Sequence, residues 1–217
     1  MNYVFAPGCA LHIYNPELSH RIWRFLCDTI GDMELFLTCC HHDDNLPDGT
    51  TIINVCPGCN RRYKSRRAGL GTVSLWEVIA DNPAFPFPTY DGIEMSVHDA
   101  CPTRTETGMH AAIRSLLQRM NIRVIEPQYT MTQQKCCGDS YYPAHSVEEV
   151  NQRMKERTAQ MPAEHVCVYC VSCVKSVHIG GKTPRYLAEL LFGEPTVPGI
   201  SETDKWHAEV KAFRDAH

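Results

Sequence analysis

Cysteine is the residue whose number and spacing could do chemistry in this chain. Twelve cysteines occur among 217 residues, and ten of them form two sets that repeat one order: a single Cys, an adjacent Cys-Cys pair and a Cys-x-x-Cys motif. The first cysteine group is Cys9, Cys39, Cys40, Cys56 and Cys59, and the second cysteine group is Cys101, Cys136, Cys137, Cys170 and Cys173. Clustered thiols in a reducing compartment bind soft metals or do redox chemistry, whereas exported chains use them for disulfides.

The number of thiols in each group separates the candidate metals. Zinc takes four protein ligands, as does an ordinary cubane cluster, and each group offers five. Adjacent cysteines on an extended chain point apart, so that both serve one tetrahedral zinc poorly, whereas a cluster of several irons can accept both. A Cys-x-x-Cys motif at a helix start also places negative sulfurs beside free backbone N–H groups. The pattern therefore favours iron and sulfide, with zinc as an alternative.

Strands and helices must alternate around these cysteines to position them. Apolar runs at 2–6, 33–37 and 51–55 predict strands, each leading into one motif of the first cysteine group, and 16–29 shows helical spacing of apolar residues. Such alternation favours parallel βαβ sheets, in which ligands lie at the carboxyl ends of the strands.

The second half of the chain repeats this order. Strands are predicted at 94–98, 123–126 and 165–169, and helices at 109–120 and 146–160. Three prolines between 81 and 92 mark the boundary between the halves. We expect an α/β fold of two similar βα-type subdomains with small, mainly parallel sheets related by internal duplication: residues 1–90, residues 91–200, and an amphipathic helix at 201–217.

The spacers between the motifs differ between the copies. The lone Cys and the Cys-Cys pair are separated by 29 residues in the first copy and 34 in the second, and the pair and Cys-x-x-Cys by 15 and 32. The 17 additional residues of the last spacer match the length of the helix predicted at 146–160. The first copy is therefore expected to lack that helix.

Several segments together resemble a known family, the CCG cysteine-rich domain. This domain occurs twice in the B subunit of heterodisulfide reductase and in related lactate, glycolate and succinate-linked oxidoreductases. The resemblance covers most of residues 1–175. It rests on residues 98–101 (HDAC), Cys136-Cys137-Gly138, Cys170-x-x-Cys173, the opening 3–9 (YVFAPGC) and residues 56–59 (CPGC). Two departures, His41 in place of Gly after Cys40 and the short last spacer, leave the first site open between a cluster and zinc.

The resemblance implies a cofactor, a reaction and a partner. Each cysteine group would hold a [4Fe-4S] cluster of the non-cubane type, and the two clusters would reduce a disulfide, or act on another small molecule, one electron at a time. No flavin or dinucleotide motif is visible, so an iron–sulfur or flavin protein subunit would supply the electrons. His98 is the candidate catalytic residue, as a donor to a cluster sulfur or of a proton to a leaving thiolate; a capping or core pair with Asp99 is the alternative.

Two other function classes stay open on the residues alone. One is a zinc-stabilised scaffold or adaptor, or a protein with metal in only one of its two sites. The other is a thiol–disulfide oxidoreductase that works through the cysteines themselves.

The remaining motifs are interpreted as structural. Cys27 and Cys167 fall outside the repeated cysteine order and are interpreted as structural. Residues 41–44 (HHDD) are interpreted as a solvated loop, and residues 180–183 (GGKT) lack the first glycine of a phosphate loop. The basic run at 61–67 would be a face for docking a partner or balancing cluster charge, or merely solvated. The tail at 202–216 is expected to pack on the body through Trp206, Val210 and Phe213.

Composition excludes two partner classes. With 21 Lys and Arg against 25 Asp and Glu, no overall field favours nucleic acid. No apolar run approaches the roughly 18 residues that cross a bilayer, and the first residues lack a signal peptide pattern. We expect a cytoplasmic protein without a membrane span, whose 43% hydrophobic residues suffice for a core.

Overall fold

Two four-stranded sheets, both entirely parallel, form the framework of the molecule. The computed structural model describes residues 2–43, 45–66 and 69–217. The first sheet contains β1 (Asn2–Ala6), β2 (Glu34–Leu35), β3 (Thr50–Asn54) and β4 (Gly71–Ser74), in the order β2-β1-β3-β4. The second contains β5 (Glu94–His98), β6 (Arg123–Val124), β7 (His165–Val168) and β8 (Thr183–Tyr186), in the order β6-β5-β7-β8. The expected α/β fold of two similar subdomains is confirmed.

Helices connect the strands and cover the sheets. The first half contains α1 (Gly8–Tyr14), α2 (Pro16–Ile30), α3 (Pro57–Lys64) and α4 (Leu75–Ala80). The second contains α5 (Thr107–Arg119), α6 (Val147–Thr158), α7 (Val171–Ile179) and α8 (Leu187–Leu191), with short 3₁₀ turns at Cys101–Thr103, Met131–Gln133 and Asp139–Tyr141. The last helix is α9 (Thr203–Ala216).

Local sequence signals fix where several helices begin. Asn15 accepts a hydrogen bond from the Leu18 N–H at 2.9 Å and starts α2, with Pro16 in its first turn. Reciprocal capping boxes start α4 at Ser74 and α6 at Ser146. These caps satisfy N–H groups that the helix itself leaves without partners.

Some elements differ from those predicted. The strands expected at 33–37 and 123–126 are only two residues long, because each lies at a sheet edge with one neighbour. Helices α1 and α8 and strand β8 were not foreseen individually. Pro184 lies within β8, which is tolerated because that strand is also at an edge. As predicted, the described residues between Cys40 and β3 contain no counterpart of α6.

One apolar core extends through both halves. Phe5 pairs with Ile53 in the first sheet and Val97 with Cys167 in the second, and all four are completely buried. The Trp76 ring, at the end of the first half, meets a tyrosine ring of the second half edge-on, at 6.5 Å between centroids. The halves therefore share one continuous core.

The contacts between the halves are reciprocal. Helix α1, which follows β1, packs against α7, and the 3₁₀ turn that follows β5 packs against α3. Each half thus brings the loop of its lone cysteine against the Cys-x-x-Cys helix of the other half. Residues between α4 and β5 form no helix or strand, and Tyr90 in this connection donates a hydrogen bond to the Leu190 carbonyl at 2.8 Å.

The C-terminal helix α9 joins the halves by packing on both α1 and α6. Trp206 is 3% exposed and donates its indole N–H to the Ser172 hydroxyl at 3.1 Å. Val210 and Phe213 are partly buried on the same side. Among the residues with a described structure, no helix is long and apolar enough to cross a bilayer.

Candidate metal centres

Each cysteine group is assembled from three loops at the carboxyl ends of parallel strands. In the first half these loops follow β1, β2 and β3, and in the second they follow β5, β6 and β7. Because the carboxyl ends of parallel strands share one edge of the sheet, residues distant in sequence meet there. Both Cys-x-x-Cys motifs start a helix, since Cys56 is the N-cap of α3 and Cys170 is the N-cap of α7.

Hydrogen bonds and charge interactions connect the first cysteine group. The Cys59 thiol donates to Cys40 and Cys56, which raises the pKa of Cys59 well above its usual value. The hydrogen bond from Cys59, helped by the N–H groups of Cys59 and Gly58, lowers the pKa of Cys56 to about 7. Burial, followed by the charges of Cys56, Cys39 and Cys40, raises the pKa of Cys9 to about 12.

Gly8 allows the loop of Cys9 to approach the Cys-x-x-Cys turn. Its φ is 79°, a left-handed conformation that favours glycine. A Cβ atom at this position would lie 3.1 Å from the Cys56 Cβ and 3.3 Å from the Cys59 Sγ. The close approach of Cys9 to the other sulfurs therefore depends on this glycine.

A continuous chain of hydrogen bonds connects the second cysteine group. Cys101 donates to Cys136, and Cys173 donates to both Cys137 and Cys170. Cys136 also accepts a hydrogen bond from Cys137, and the bonds that Cys136 accepts lower its pKa. The bonds that Cys173 donates raise the pKa of Cys173. The Gly138 N–H donates to the Cys136 Sγ at 3.3 Å. All five sulfurs that the sequence singled out in this half thus lie together.

His98 completes the second cysteine group. One of its ring nitrogens and the Sγ atoms of Cys137 and Cys173 all lie within 4.8 Å of one another. The side chain is 2% exposed, and neither ring nitrogen has a hydrogen-bond partner within the described parts of the chain. Burial lowers the pKa of His98 to about 4, so the ring is neutral and offers one N–H and one lone pair.

The surroundings of His98 suit a metal ion or a cluster. A buried imidazole with two unpartnered nitrogens is costly unless a ligand satisfies it. Soft sulfur donors surround it, so the residues fit an iron–sulfur cluster or a zinc ion. The sheet registers pair His98 with Val168 and Ala6 with Asn54, so Ala6 occupies the matching position in the first half.

Two features hold the loop of Cys136 and Cys137 in place. Gly138 has a φ of 110°, and a Cβ atom there would lie 2.9 Å from the backbone nitrogen of Met154 in α6. Asp139 then accepts from Lys175 of α7 at 2.6 Å and lies 3.1 Å from the ring nitrogen of His207 of α9. The loop is thereby fixed to three helices.

Asp99, the neighbour of His98, belongs to a hydrogen-bond network that positions the loop of Cys101. Arg114 holds both of its carboxylate oxygens, at 2.7 and 2.8 Å, and Tyr169 donates to it at 3.1 Å. Burial alone would raise the pKa of Asp99, but the hydrogen bonds from Arg114 outweigh burial and lower it. The Tyr169 hydroxyl in turn accepts from the Ala100 N–H at 2.9 Å, which positions the loop of Cys101.

The other cysteines lie outside both groups. Cys167 is buried in β7, and burial raises its pKa to about 12. Cys27 lies on α2, with its sulfur 3.8 Å from the Met33 carbonyl. All twelve cysteines are among the described residues, and none of them forms a disulfide.

The other motifs singled out in the sequence are an exposed loop at 41–43 and a hydrogen-bonded turn at 180–183. His41, His42 and Asp43 are exposed, while Asp44 and Arg67 lie outside the described residues. Lys182 donates to the carbonyls of Met161 and Ala163, at 2.6 and 2.8 Å, which is a structural use of the 180–183 turn.

Two residues near the cysteines were missed by sequence reasoning. Tyr186, the last residue of β8, is 1% exposed, and its pKa is raised by burial and then by the charges of Cys170 and Cys56. Its side chain is therefore buried near both cysteine groups. Arg157 of α6 is buried and interacts with the sulfurs of the second group. Neither residue belongs to a motif, so only the fold reveals them.

The fold and the sites define a duplicated parallel α/β protein with a cysteine group at the carboxyl edge of each sheet. No family model matches the chain, and no curated protein matches it. The structure of an aspartate racemase from Picrophilus torridus aligns with this chain at 10% identity and a TM-score of 0.37. The alignment covers 98% of this chain and 94% of the racemase chain. That similarity is too low to support an argument about fold or activity.

Proposed function

We propose that this chain is the iron–sulfur subunit of a heterodisulfide-reductase-like system, with a [4Fe-4S] cluster of the non-cubane type in each cysteine group. The supporting observation is that five cysteines from three separate loops lie together in each half. Ten thiols, free of disulfides and largely shielded from water, are the donor set that an iron–sulfur cluster requires.

The protein's own residues have distinct tasks in this proposal. The ten cysteines bind the metal, and the N–H groups at the starts of α3 and α7 stabilise negative sulfur. His98 would donate its N–H to a sulfur or its lone pair to a metal, since it lies beside Cys137 and Cys173, which are both buried. When bound, a cluster of this type supplies single-electron chemistry at sulfur.

The reaction would convert one disulfide into two thiols, with two electrons and two protons. An iron–sulfur or flavin protein subunit would deliver the electrons, and the substrate would be a disulfide or another small molecule. Tyr186 places a buried aromatic side chain near both groups. We assign the protein to the cytoplasm, where thiols stay reduced, and assign no nucleic acid partner.

Anaerobic metal analysis tests the proposal. Protein purified without oxygen should contain about eight irons and eight acid-labile sulfides per chain, as two [4Fe-4S] clusters require. Electron paramagnetic resonance should show an iron–sulfur signal, and a reduced viologen dye should support disulfide reduction. Colourless protein with neither iron nor sulfide would end this proposal.

Zinc in the first cysteine group is a second candidate. Cys40, Cys56 and Cys59 share hydrogen bonds and Cys9 interacts with two of them, whereas Cys39 hydrogen-bonds to Cys40 and interacts with Cys9. Four sulfurs with a peripheral fifth suit a tetrahedral ion. One zinc with about four irons per chain would support this arrangement, and zinc without sulfide would favour a scaffold protein.

A further inference from the structure

A cavity of 610 Å³ opens beside Cys40 of the first cysteine group. It lies between helix α3 and the loop that follows the Cys-Cys pair. The loop contributes His41 and Asp43, among others, and the end of α3 with the residues just after it contributes Arg62 and Arg66.

Three of these lining residues have counterparts in the second half. Arg62 lies three residues after the last cysteine of its Cys-x-x-Cys motif, and Ser176 lies three residues after the last cysteine of the other. By the same count Arg66 corresponds to Gly180. The counterpart of His41, directly after the Cys-Cys pair, is Gly138.

All three counterparts contact helix α6. The Thr158 hydroxyl of α6 donates to the Ser176 carbonyl at 3.4 Å, and a Cβ atom at Gly180 would collide with the Thr158 side chain. A Cβ atom at Gly138 would lie 2.9 Å from the backbone nitrogen of Met154, also in α6. The cavity at Cys40 therefore occupies the place that α6 fills in the second half.

Helix α6 leaves a smaller space beside its own cysteine group. The cavity at Cys136 measures 250 Å³, and its cations are Arg104, Lys135, Arg153 and Arg157. In the first half, the described residues between Cys40 and β3 supply no helix for this position. The first half is thus open where the chain itself closes the second.

The open position is positively charged. Arg61 and Arg62 are exposed on α3 and form no ion pair with any described residue. Burial, followed by the charges of Arg62 and Arg214, lowers the pKa of His41, so Arg214 of α9 adds to the same field. Asp43 is the one carboxylate among the described lining residues. An occupant that complements this surface therefore carries carboxylates.

We propose that this cavity docks an acidic helix of a partner protein in the position that α6 occupies in the second half. Carboxylates spaced one turn apart lie on one face of a helix, where arginines can pair with them. The docked helix would touch the loop of Cys40, so the subunit that delivers electrons is the partner that we assign to it. That assignment rests on the proposed function, whereas docking of an acidic helix does not.

Synthetic helices test the charge preference. The probe is a fluorescent alanine-rich peptide of about 16 residues, long enough to be partly helical alone, with glutamates one turn apart along one face. The comparison peptide has glutamine at the same positions. Anisotropy titrations of the full chain at about 30 mM salt should show the glutamate helix binding at least about tenfold more tightly. Equal binding of the two peptides would overturn the proposal.

Charge variants locate the binding. Arg62→Gln should weaken binding of the glutamate helix several-fold, and Arg62→Glu should weaken it further while a lysine helix gains affinity. Arg24→Gln makes the same neutral replacement at an exposed position of α2 that does not line the cavity, and it should leave the Kd unchanged. An equal effect of Arg24→Gln would show a nonspecific charge effect and would overturn the site.

Crosslinking and sedimentation identify the place and the occupant. A benzophenone on the glutamate helix should crosslink to residues 41–45 or 61–66, and crosslinks confined to other surfaces would contradict the site. Self-association of the chain that Arg62→Gln abolishes would assign the cavity to a second copy and overturn the partner. Tighter binding of a single-stranded DNA oligomer at the same residues would also overturn it.

The metal content separates this proposal from the proposed function. Binding of the glutamate helix that depends on Arg62, in protein without iron or sulfide, would support the docking site and refute only the proposed function. Iron-loaded protein that does not bind the glutamate helix would do the reverse.

Discussion

The two cysteine groups share a scaffold but differ in what surrounds their sulfurs. Both use three loops at the carboxyl edge of a sheet with the same strand order. The second group adds helix α6 and the buried ring of His98, where the first has a short loop and Ala6. The two halves therefore repeat the positions of the cysteines but differ in what surrounds them.

The residue that follows each Cys-Cys pair illustrates this divergence. The backbone of Gly138 has a positive φ and lies against α6, so a side chain at this position would collide with the α6 backbone. The matching residue of the first half, His41, is exposed, and the described part of its loop contains no helix that could restrict it. The glycine is thus a requirement of α6 packing rather than of the sulfurs.

The cavities beside the two groups also differ. The cavity at Cys40 has a volume of 610 Å³ and is lined by two arginines, Arg62 and Arg66, and by Asp43, among others. Arg66 donates to the backbone carbonyls of Cys40 and His42. Its guanidinium stabilises the Cys-Cys loop itself, whereas the cations at Cys136 line the smaller cavity of the second half.

Removing one central sulfur should produce the largest difference. Cys137→Ser deletes a thiol that bonds with Cys136 and Cys173, so the second group should lose its metal while the first retains its own. The iron content per chain should fall by about half. Cys27→Ser is the matched control and should keep all of the iron. Equal losses in both variants would refute separate sites.

Truncating Trp206, the buried side chain of α9, should reduce stability strongly. Trp206→Ala removes a buried ring and its bond to Ser172, which should lower the free energy of unfolding by about 3–5 kcal/mol. Phe213→Ala, on the same helix near the first group, removes a less buried ring and should cost less. Urea unfolding followed by circular dichroism measures both, and a larger loss for Phe213→Ala would contradict the packing described.

Placing alanine at the two matching loop positions should separate the halves. Gly138→Ala forces a side chain into left-handed backbone and against α6, which should cost about 2–4 kcal/mol. His41→Ala lies on an exposed loop and should change stability by less than about 0.5 kcal/mol. Similar costs in urea unfolding would show that α6 does not explain the glycine.

Replacing His98 should have a small effect on stability and a specific effect on one site. His98→Leu conserves much of the volume and removes two unpartnered nitrogens, so the unfolding free energy should change by less than about 1.5 kcal/mol. The paramagnetic resonance signal of the second group should shift while that of the first stays constant. Unchanged signals from both groups would leave His98 as a core residue only.

Much of the fold was predictable because its signals are local. Apolar periodicity predicted strand β5 with its observed limits and α2 to within one residue, and the Ser146 capping box marks the start of α6. The edge strands were predicted too long, since their ends depend on neighbouring strands rather than on their own residues. The repeated cysteine order predicted the duplication of the sheets, which the identical strand orders confirm.

The sequence by itself determined the ligand-type residues, their repetition and the parallel framework that collects them, because spacing and periodicity act along the chain. Only the tertiary structure decided which side chains surround the sulfurs. His98 meets Cys137 because adjacent parallel strands end at one edge. The charge of Arg157 acts on the same group because α6 packs against α7, and Tyr186 is buried near both groups because the halves share one core. These contacts join residues far apart in sequence, so no local pattern records them.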